Sequence, residues 1–230
     1  MPKNCSTCAD IDKIEELSFE EMTADLYKQR YSDSNRPVII RNVSSDWPAI
    51  NTLDYHWLRE HYTASDDILD EEGSNCFFKC YKTDEFKTLR DVFQLSPERL
   101  KTESESRPWY VGWTVCHKPV LAELNKLVEL PSFLSEFDMI GNMWIFIGTP
   151  GYGAHLHLDD DLDTNTWQAQ ISGVKTWFLE PPPECAKQCH QSLEADLYPG
   201  DMIIVNTNFW YHRTHVQNHG ISLVITQQIG

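Results

Sequence analysis

Basic charge is scarce in this chain: 19 Lys and Arg face 35 Asp and Glu over 230 residues, a formal net charge of −16. Such a field repels phosphate backbones and attracts basic ligands or peptides, which argues against nucleic acid as a direct partner. Long apolar runs are missing as well. No stretch approaches the roughly 20 residues that a membrane span requires, and the first thirty residues lack a basic start followed by an apolar run. We therefore expect no membrane partner and a chain unprocessed as given, in the cytoplasm or nucleus; a secretory lumen replaces that expectation if a signal peptide precedes it. Internal repeats and low-complexity tracts are absent, which excludes solenoids, and the Pro-rich spots are too short to be linkers.

What is present suits a folded protein. Apolar residues make up 41%, with 8 Trp, 9 Tyr and 10 Phe, ample material for a core. A second core would leave both halves small, so residues 1–230 are expected to form a single domain. The acidic run from Asp10 to Asp25, threaded with Ile11, Ile14, Leu17, Met22 and Leu26, is read as the solvated face of an amphipathic helix.

Seven cysteines are unevenly spaced: Cys5 and Cys8 form a CxxC, Cys76 and Cys80 are four apart, Cys185 and Cys189 likewise, and Cys116 stands alone. A structural zinc site would need two such pairs to converge, which the spacing does not establish. Free thiols in a reducing compartment are the expectation. Disulfides, and the sequons at Asn4 and Asn42, become relevant only in a secreted protein.

Two textures divide the chain. Residues 1–140 mix helical and extended signals: "RPVIIRNV" from Arg36 reads as a strand, "LDYHWLREHY" from Leu53 and "HKPVLAELNKLVEL" up to Pro131 as helices. Residues 141–230 are short apolar runs split by turn residues: "MWIFIG", "GAHLHLD", "TWQAQI", "VKTWFLE", "DMIIVN", "WYHRTHV" and "ISLVITQ". Closely spaced strands of this kind make an antiparallel sandwich or barrel.

The sharpest chemical feature is "GAHLHLDDD". On a strand, residues two apart face the same way, so His157 and Asp159 would aim an imidazole and a carboxylate at one point. Two histidines and one carboxylate on one face of an octahedral ion leave three positions open, the arrangement of non-haem Fe(II) oxygenases. His155 shares that face, but three such neighbours span about 13 Å and cannot all reach one ion. His155 is therefore expected either to support the ligands from behind or to line the pocket, and a third ligand must come from another strand.

Four segments, in this order, carry a family resemblance: "WIFIGTPGYGAHLHLD", "WQAQISGVKTWFLEPP", "PGDMIIVNTNFWYH" and "ISLVITQ". Together they resemble the Jumonji-C (JmjC) and cupin-like hydroxylases, especially the small branch with lysyl hydroxylase activity. "RPVIIRNVSSDWPAI" resembles that family's N-terminal strand, while residues 50–140 match loosely. The resemblance implies a mainly β fold, a double-stranded β-helix (jelly-roll) core with flanking N-terminal helices. It also implies Fe(II) and 2-oxoglutarate as cofactors.

Carried over by position, the metal and catalytic residues are His157, Asp159 and His212, the last following the Trp210–Tyr211 pair. His215 competes with His212, because the segment after Gly200–Asp201 is one residue longer than the family pattern. Lys175 and Thr226 match groups that hold the distal carboxylate of 2-oxoglutarate, and Gln168 falls where an amide faces the cosubstrate. A hydroxyl often precedes the HxD motif by three residues; this chain has Ala154. Hydroxylation of a protein or peptide side chain, with release of succinate and CO2, is the expected reaction. The alternatives are demethylation of methylated Lys or Arg and a metal-binding cupin without 2-oxoglutarate chemistry. The abrupt end after Thr226 favours hydroxylation and a monomer, and the acidic surface favours a peptide carrying Lys or Arg.

Overall fold

A computed structural model of the protein describes residues 3–64, 69, 76–81, 85–102, 107–159 and 164–230. In chain order the elements are β1 (Glu15–Ser18), α1 (Ala24–Arg30), β2 (Val38–Arg41), α2 (Ala49–Thr52), α3 (Tyr55–Thr63), β3 (Phe78–Cys80), α4 (Leu89–Phe93), β4 (Tyr110–Thr114) and α5 (Lys118–Leu124). The second half holds β5 (Met139–Gly148), β6 (Thr166–Ser172), β7 (Lys175–Glu180), β8 (Leu193–Leu197), β9 (Met202–Val205), β10 (Tyr211–Val216) and β11 (Ser222–Ile229). The mainly β, jelly-roll expectation is borne out.

Two sheets face each other. The larger has the order β1-β2-β9-β6-β11-β5-β4-β3 and the smaller β10-β7-β8. All pairs are antiparallel except β1 with β2. Runs such as Ile39–Ile40 and Met202–Val205 are buried on both faces because they lie mid-sheet with helices or the small sheet above them. The chain changes sheets between β6 and β7 at Gly173, whose φ of +66° an L side chain rarely adopts. That tight turn delivers Lys175 into the space between the sheets.

Capping places the helices. Asp54 accepts from Trp57 N at 2.7 Å to start α3, and Thr23 accepts from Leu26 N at 3.1 Å to start α1. The α5 helix stops at Leu124, short of the Pro131 boundary expected from periodicity, since its last carbonyls are taken by the turn through Leu127.

The acidic segment 10–25 is not one helix. Glu15–Ser18 pairs in parallel with Val38–Arg41, Ile11 and Ile14 are buried, and a reciprocal Ser18–Glu21 pair closes a turn before Thr23 caps α1. Strand pairing and burial of two isoleucines outweigh local helical periodicity here. Likewise "GAHLHLD" is not a regular strand: it is an extended segment with a single bridge, His157 to His212. The β8 strand alternates apolar Leu193, Ala195 and Leu197 with acidic Glu194 and Asp196, a short period-two signal.

The free-thiol expectation also gives way. Disulfides join Cys5 to Cys185, Cys8 to Cys189 and Cys76 to Cys116, leaving Cys80 free. The first two pairs close loops across 180 and 181 residues, separations at which local spacing carries no information about partners. They staple the N-terminal turn onto the β7–β8 connection, beside a cluster containing Ile11, Ile14, Trp177 and Trp210.

Once one of these adjacent crosslinks exists, the second closes only a small ring, so their effects on unfolded-chain entropy are not additive. Removing Cys8 and Cys189 together should cost well under half of what removing all four cysteines costs, the latter being about 2–5 kcal/mol. Urea midpoints of the two variants check this.

Candidate metal and cosubstrate site

The bridge between His157 and His212 is a full antiparallel exchange: His157 N donates to His212 O at 3.0 Å and His212 N to His157 O at 2.9 Å. Two residues on, Asp159 N donates to Thr207 O at 3.1 Å, and Asn208 Nδ2 to Asp159 O at 3.1 Å. Upstream, Gly153 lets the segment cross β10 closely: a Cβ there would stand 2.1 Å from Thr214 O. The segment from Gly153 to Asp159 is thereby held along the edge of the small sheet, and its two side chains converge on that of His212.

The ligand atoms of His157, Asp159 and His212 all lie within 4.8 Å of one another. His157 Nε2 stands 3.5 Å from Asp159 Oδ1, and His212 Nε2 3.8 Å from Asp159 Oδ2. Cis donors about 2.1 Å from an ion are about 3 Å apart, so small side-chain movements suffice for them to share one. Both Nδ1 atoms are engaged by backbone carbonyls, His157 with His155 O at 2.6 Å and His212 with Trp210 O at 3.2 Å. Those bonds favour the Nδ1–H tautomer and turn both Nε2 lone pairs inward, the orientation a metal needs.

Electrostatics agree. Burial lowers the His212 imidazole to about 4, so it is neutral at physiological pH. Burial alone would raise the Asp159 carboxyl, but the hydrogen bond with His157 and the nearby imidazoles outweigh it and hold the group at about 2. For His157, burial works downward and is outweighed by Asp159 and the His155 carbonyl, so its affinity for a proton is raised. A carboxylate facing inward-turned imidazole nitrogens, with no thiolate, is a donor set that fits Fe(II) and similar divalent ions.

Strand alternation puts the two candidate distal histidines on opposite faces. His212, Thr214 and Val216 occupy the buried face of β10, and His215, three residues on, lies on the other face. His155 is exposed; its carbonyl orients His157, and its ring leans on Tyr81 at 5.9 Å.

The cavity beside these groups has a volume of about 350 Å³. Gln168, Thr226 and Trp144 stand in register across β6, β11 and β5, all facing it. Lys175 is fully buried; its ammonium donates to Tyr110 Oη at 2.8 Å and Gln168 Oε1 at 3.1 Å. Among the described residues no carboxylate pairs with it, and burial lowers its pKa to about 7. A buried cation with neutral partners fits an incoming anion. Thr226 Oγ1 donates to Trp167 O at 2.5 Å, leaving its lone pairs as acceptors toward the cavity.

Tyr110, missed in the sequence, completes the lysine's shell. Its only signal was the aromatic β-rich run "PWYVGWT" in the region that matched loosely.

A comparison with known families matches residues 23–187, well over half of the chain, to the model described as "Cupin-like domain". The chain belongs to the cupin-like domain family. The match ends before His212 and Thr226, whose place at the site rests on the motif order and the geometry. Among curated relatives, this cupin-like chain is 26% identical over 204 residues to the arginine-specific demethylase JMJ22 of Arabidopsis thaliana, covering 80% of this chain and 33% of that protein. It is 22% identical over 194 residues to the 2-oxoglutarate and iron-dependent oxygenase JMJD4 of Mus musculus, covering 77% and 43%. The chain thus spans well under half the length of these relatives. The ribosomal oxygenase YcfD of Escherichia coli, solved with cobalt and succinic acid, superposes at a TM-score of 0.56 with 16% identity, covering 90% of this chain and 51% of that one. That likeness shows a shared fold.

Titration of Co(II) into the protein, followed by its visible absorption, should show one site in the wild type and in His215→Ala. His212→Ala and Asp159→Ala should weaken binding by at least the roughly 10–100-fold known for losing even an outer-shell partner.

Proposed function

We propose that this cupin-like domain is an Fe(II)- and 2-oxoglutarate-dependent oxygenase that hydroxylates a side chain of a protein or peptide. The observation that carries the reading is the placement of Lys175: a buried ammonium with no carboxylate partner among the described residues, bonded to Tyr110 and Gln168, which line the same cavity as the His157, Asp159 and His212 donor set. A metal-only cupin has no use for such a cation. When bound, Fe(II) and 2-oxoglutarate supply the oxidising power for R–H + 2-oxoglutarate + O2 → R–OH + succinate + CO2.

The chain's own groups do the rest. His157, Asp159 and His212 would hold the metal. Lys175 and Tyr110 would receive the distal carboxylate, with Gln168 fixing the lysine, and Thr226 would join them by turning its hydroxyl from Trp167 O into the cavity. Ala154 brings no hydroxyl, so recognition falls on this set.

The outer wall of the cavity is aromatic. The rings of Phe77, Trp144 and Phe146 lie nearly parallel in succession, at 6.1 and 5.6 Å. Such a shelf would support the stem of a long side chain, and the overall acidic charge supports a peptide carrying Lys or Arg. Demethylation of an N-methyl group is the same C–H hydroxylation on another substrate, and the name of JMJ22 keeps it among the reactions to assay.

The anaerobically Fe(II)-loaded protein, once exposed to O2, should convert 2-oxoglutarate to succinate slowly even without prime substrate, and Asp159→Ala should not. Succinate equal in the two, measured by mass spectrometry, would sink the reading.

Lys175→Met should weaken 2-oxoglutarate binding by about 2–5 kcal/mol, roughly 30- to 5,000-fold, while leaving Co(II) affinity near wild type. Before binding, Lys175 titrates at about 7; a carboxylate beside it raises that value, so complex formation takes up a proton above pH 7. Affinity should therefore be flat below about pH 7 and fall by up to roughly tenfold per pH unit above it, a slope absent in Lys175→Met. Calorimetry in buffers of different ionisation enthalpy reads the proton uptake directly.

A further inference from the structure

We propose that Asn42 carries an N-linked glycan and that the protein folds in an oxidising secretory lumen. The first ground is covalent. Six of the seven cysteines are paired, by bonds spanning 180, 181 and 40 residues. Disulfides of this kind form and persist in oxidising compartments and are rare where glutathione keeps thiols reduced.

The second ground is Asn42-Val43-Ser44, an acceptor sequence for N-glycosylation. Asn42 is exposed in the turn that ends β2, with φ at +58°. Its backbone N–H is held by Asp201 Oδ1 at 3.1 Å, and its Oδ1 accepts only a long 3.4 Å bond from Ser45 Oγ. The amide nitrogen, the atom that bonds to sugar, has no partner among the described residues.

Ser44 is the third ground. It is fully buried, and its hydroxyl has no hydrogen-bond partner. An unpaired buried hydroxyl destabilises a fold, and alanine would occupy the same space without that penalty. The fold therefore gives no reason for a hydroxyl at this position, whereas the acceptor sequence requires one two residues after the asparagine.

Burial of Ser44 also sets the order of events. Transfer must occur on the unfolded chain: Asn42 Nδ2 bonds to the anomeric carbon of a lipid-diphosphate oligosaccharide, the sugar–diphosphate bond breaks, the amide loses a proton and the diphosphate leaves. Folding then buries Ser44 and leaves Asn42 outside. At the other acceptor sequence the fold itself accounts for the hydroxyl, since Asn4 Oδ1 accepts from Ser6 N and Ser6 Oγ, so the ground that singles out Ser44 is missing there.

If the oxygenase reading above holds, its substrates are proteins of the same lumen. The test uses neither iron nor 2-oxoglutarate, so its failure is separate from failure of that reading. Protein captured from its own cells is denatured, alkylated, and treated with peptide N-glycosidase in heavy-oxygen water before peptide mass spectrometry. We expect Asn42 to appear as heavy-labelled Asp, Cys80 to be alkylated at once, and the other six cysteines only after reduction. Re-expressed Ser44→Ala should lose the glycan while unfolding at the same or a higher temperature. An unmodified Asn42, a glycan at Asn4 alone, or a glycan that survives Ser44→Ala would each overturn the proposal. So would six thiols that alkylate without reduction, or do so once a chelator has removed zinc, since Cys8, Cys185 and Cys189 are close enough to ligate it.

Discussion

The paired backbone bonds between His157 and His212 set the geometry on which the site depends. One crossing fixes two of the clustered side chains from segments over fifty residues apart, and the continuation to Thr207 fixes the third. Because the exchange is made by backbone groups, it tolerates an irregular segment that never becomes a true strand. Its rigidity is borrowed from below: His212 stacks on Trp177 at 5.6 Å, and Trp177 belongs to the buried cluster of the small sheet. Packing holds the sheet, the sheet holds the backbone pairing, and the pairing aims the ligands.

Charge is distributed in opposite senses outside and inside. The surface carries the excess of carboxylates, while Lys79 lines the cavity over the Trp144 ring and the buried Lys175 bonds to Tyr110 and Gln168 in its wall. The exterior is thus acidic while the interior holds buried positive charge. Lys175 reaches its place only because the Gly173 turn moves the chain from one sheet to the other two residues earlier. Its neutral partners, Tyr110 and Gln168, come from β4 and β6 of the facing sheet, so the cation spans the interior of the barrel.

The N-terminal residues belong to the same frame. Crosslinks at Cys5 and Cys8 press the first turn onto the connection following β7, beside Trp210 and Trp177. A segment that looks peripheral in sequence therefore braces the sheet that carries His212.

The amino-acid sequence by itself determined the family, the β-rich second half, the HxD pair and the order of the segments around it. These are local signals, alternation over a few residues or a motif of fixed spacing, and they survive without knowledge of what packs where. The tertiary structure decided whatever depends on partners distant along the chain. It separated His212 from His215 by the face of β10 each occupies, and recruited Tyr110 from a stretch without a motif. It broke the acidic segment into a strand and a short helix because β2 was available to pair. It joined cysteines 180 residues apart, since two thiols bond only when folding brings their Cβ atoms within reach, and no spacing along the chain encodes that distance.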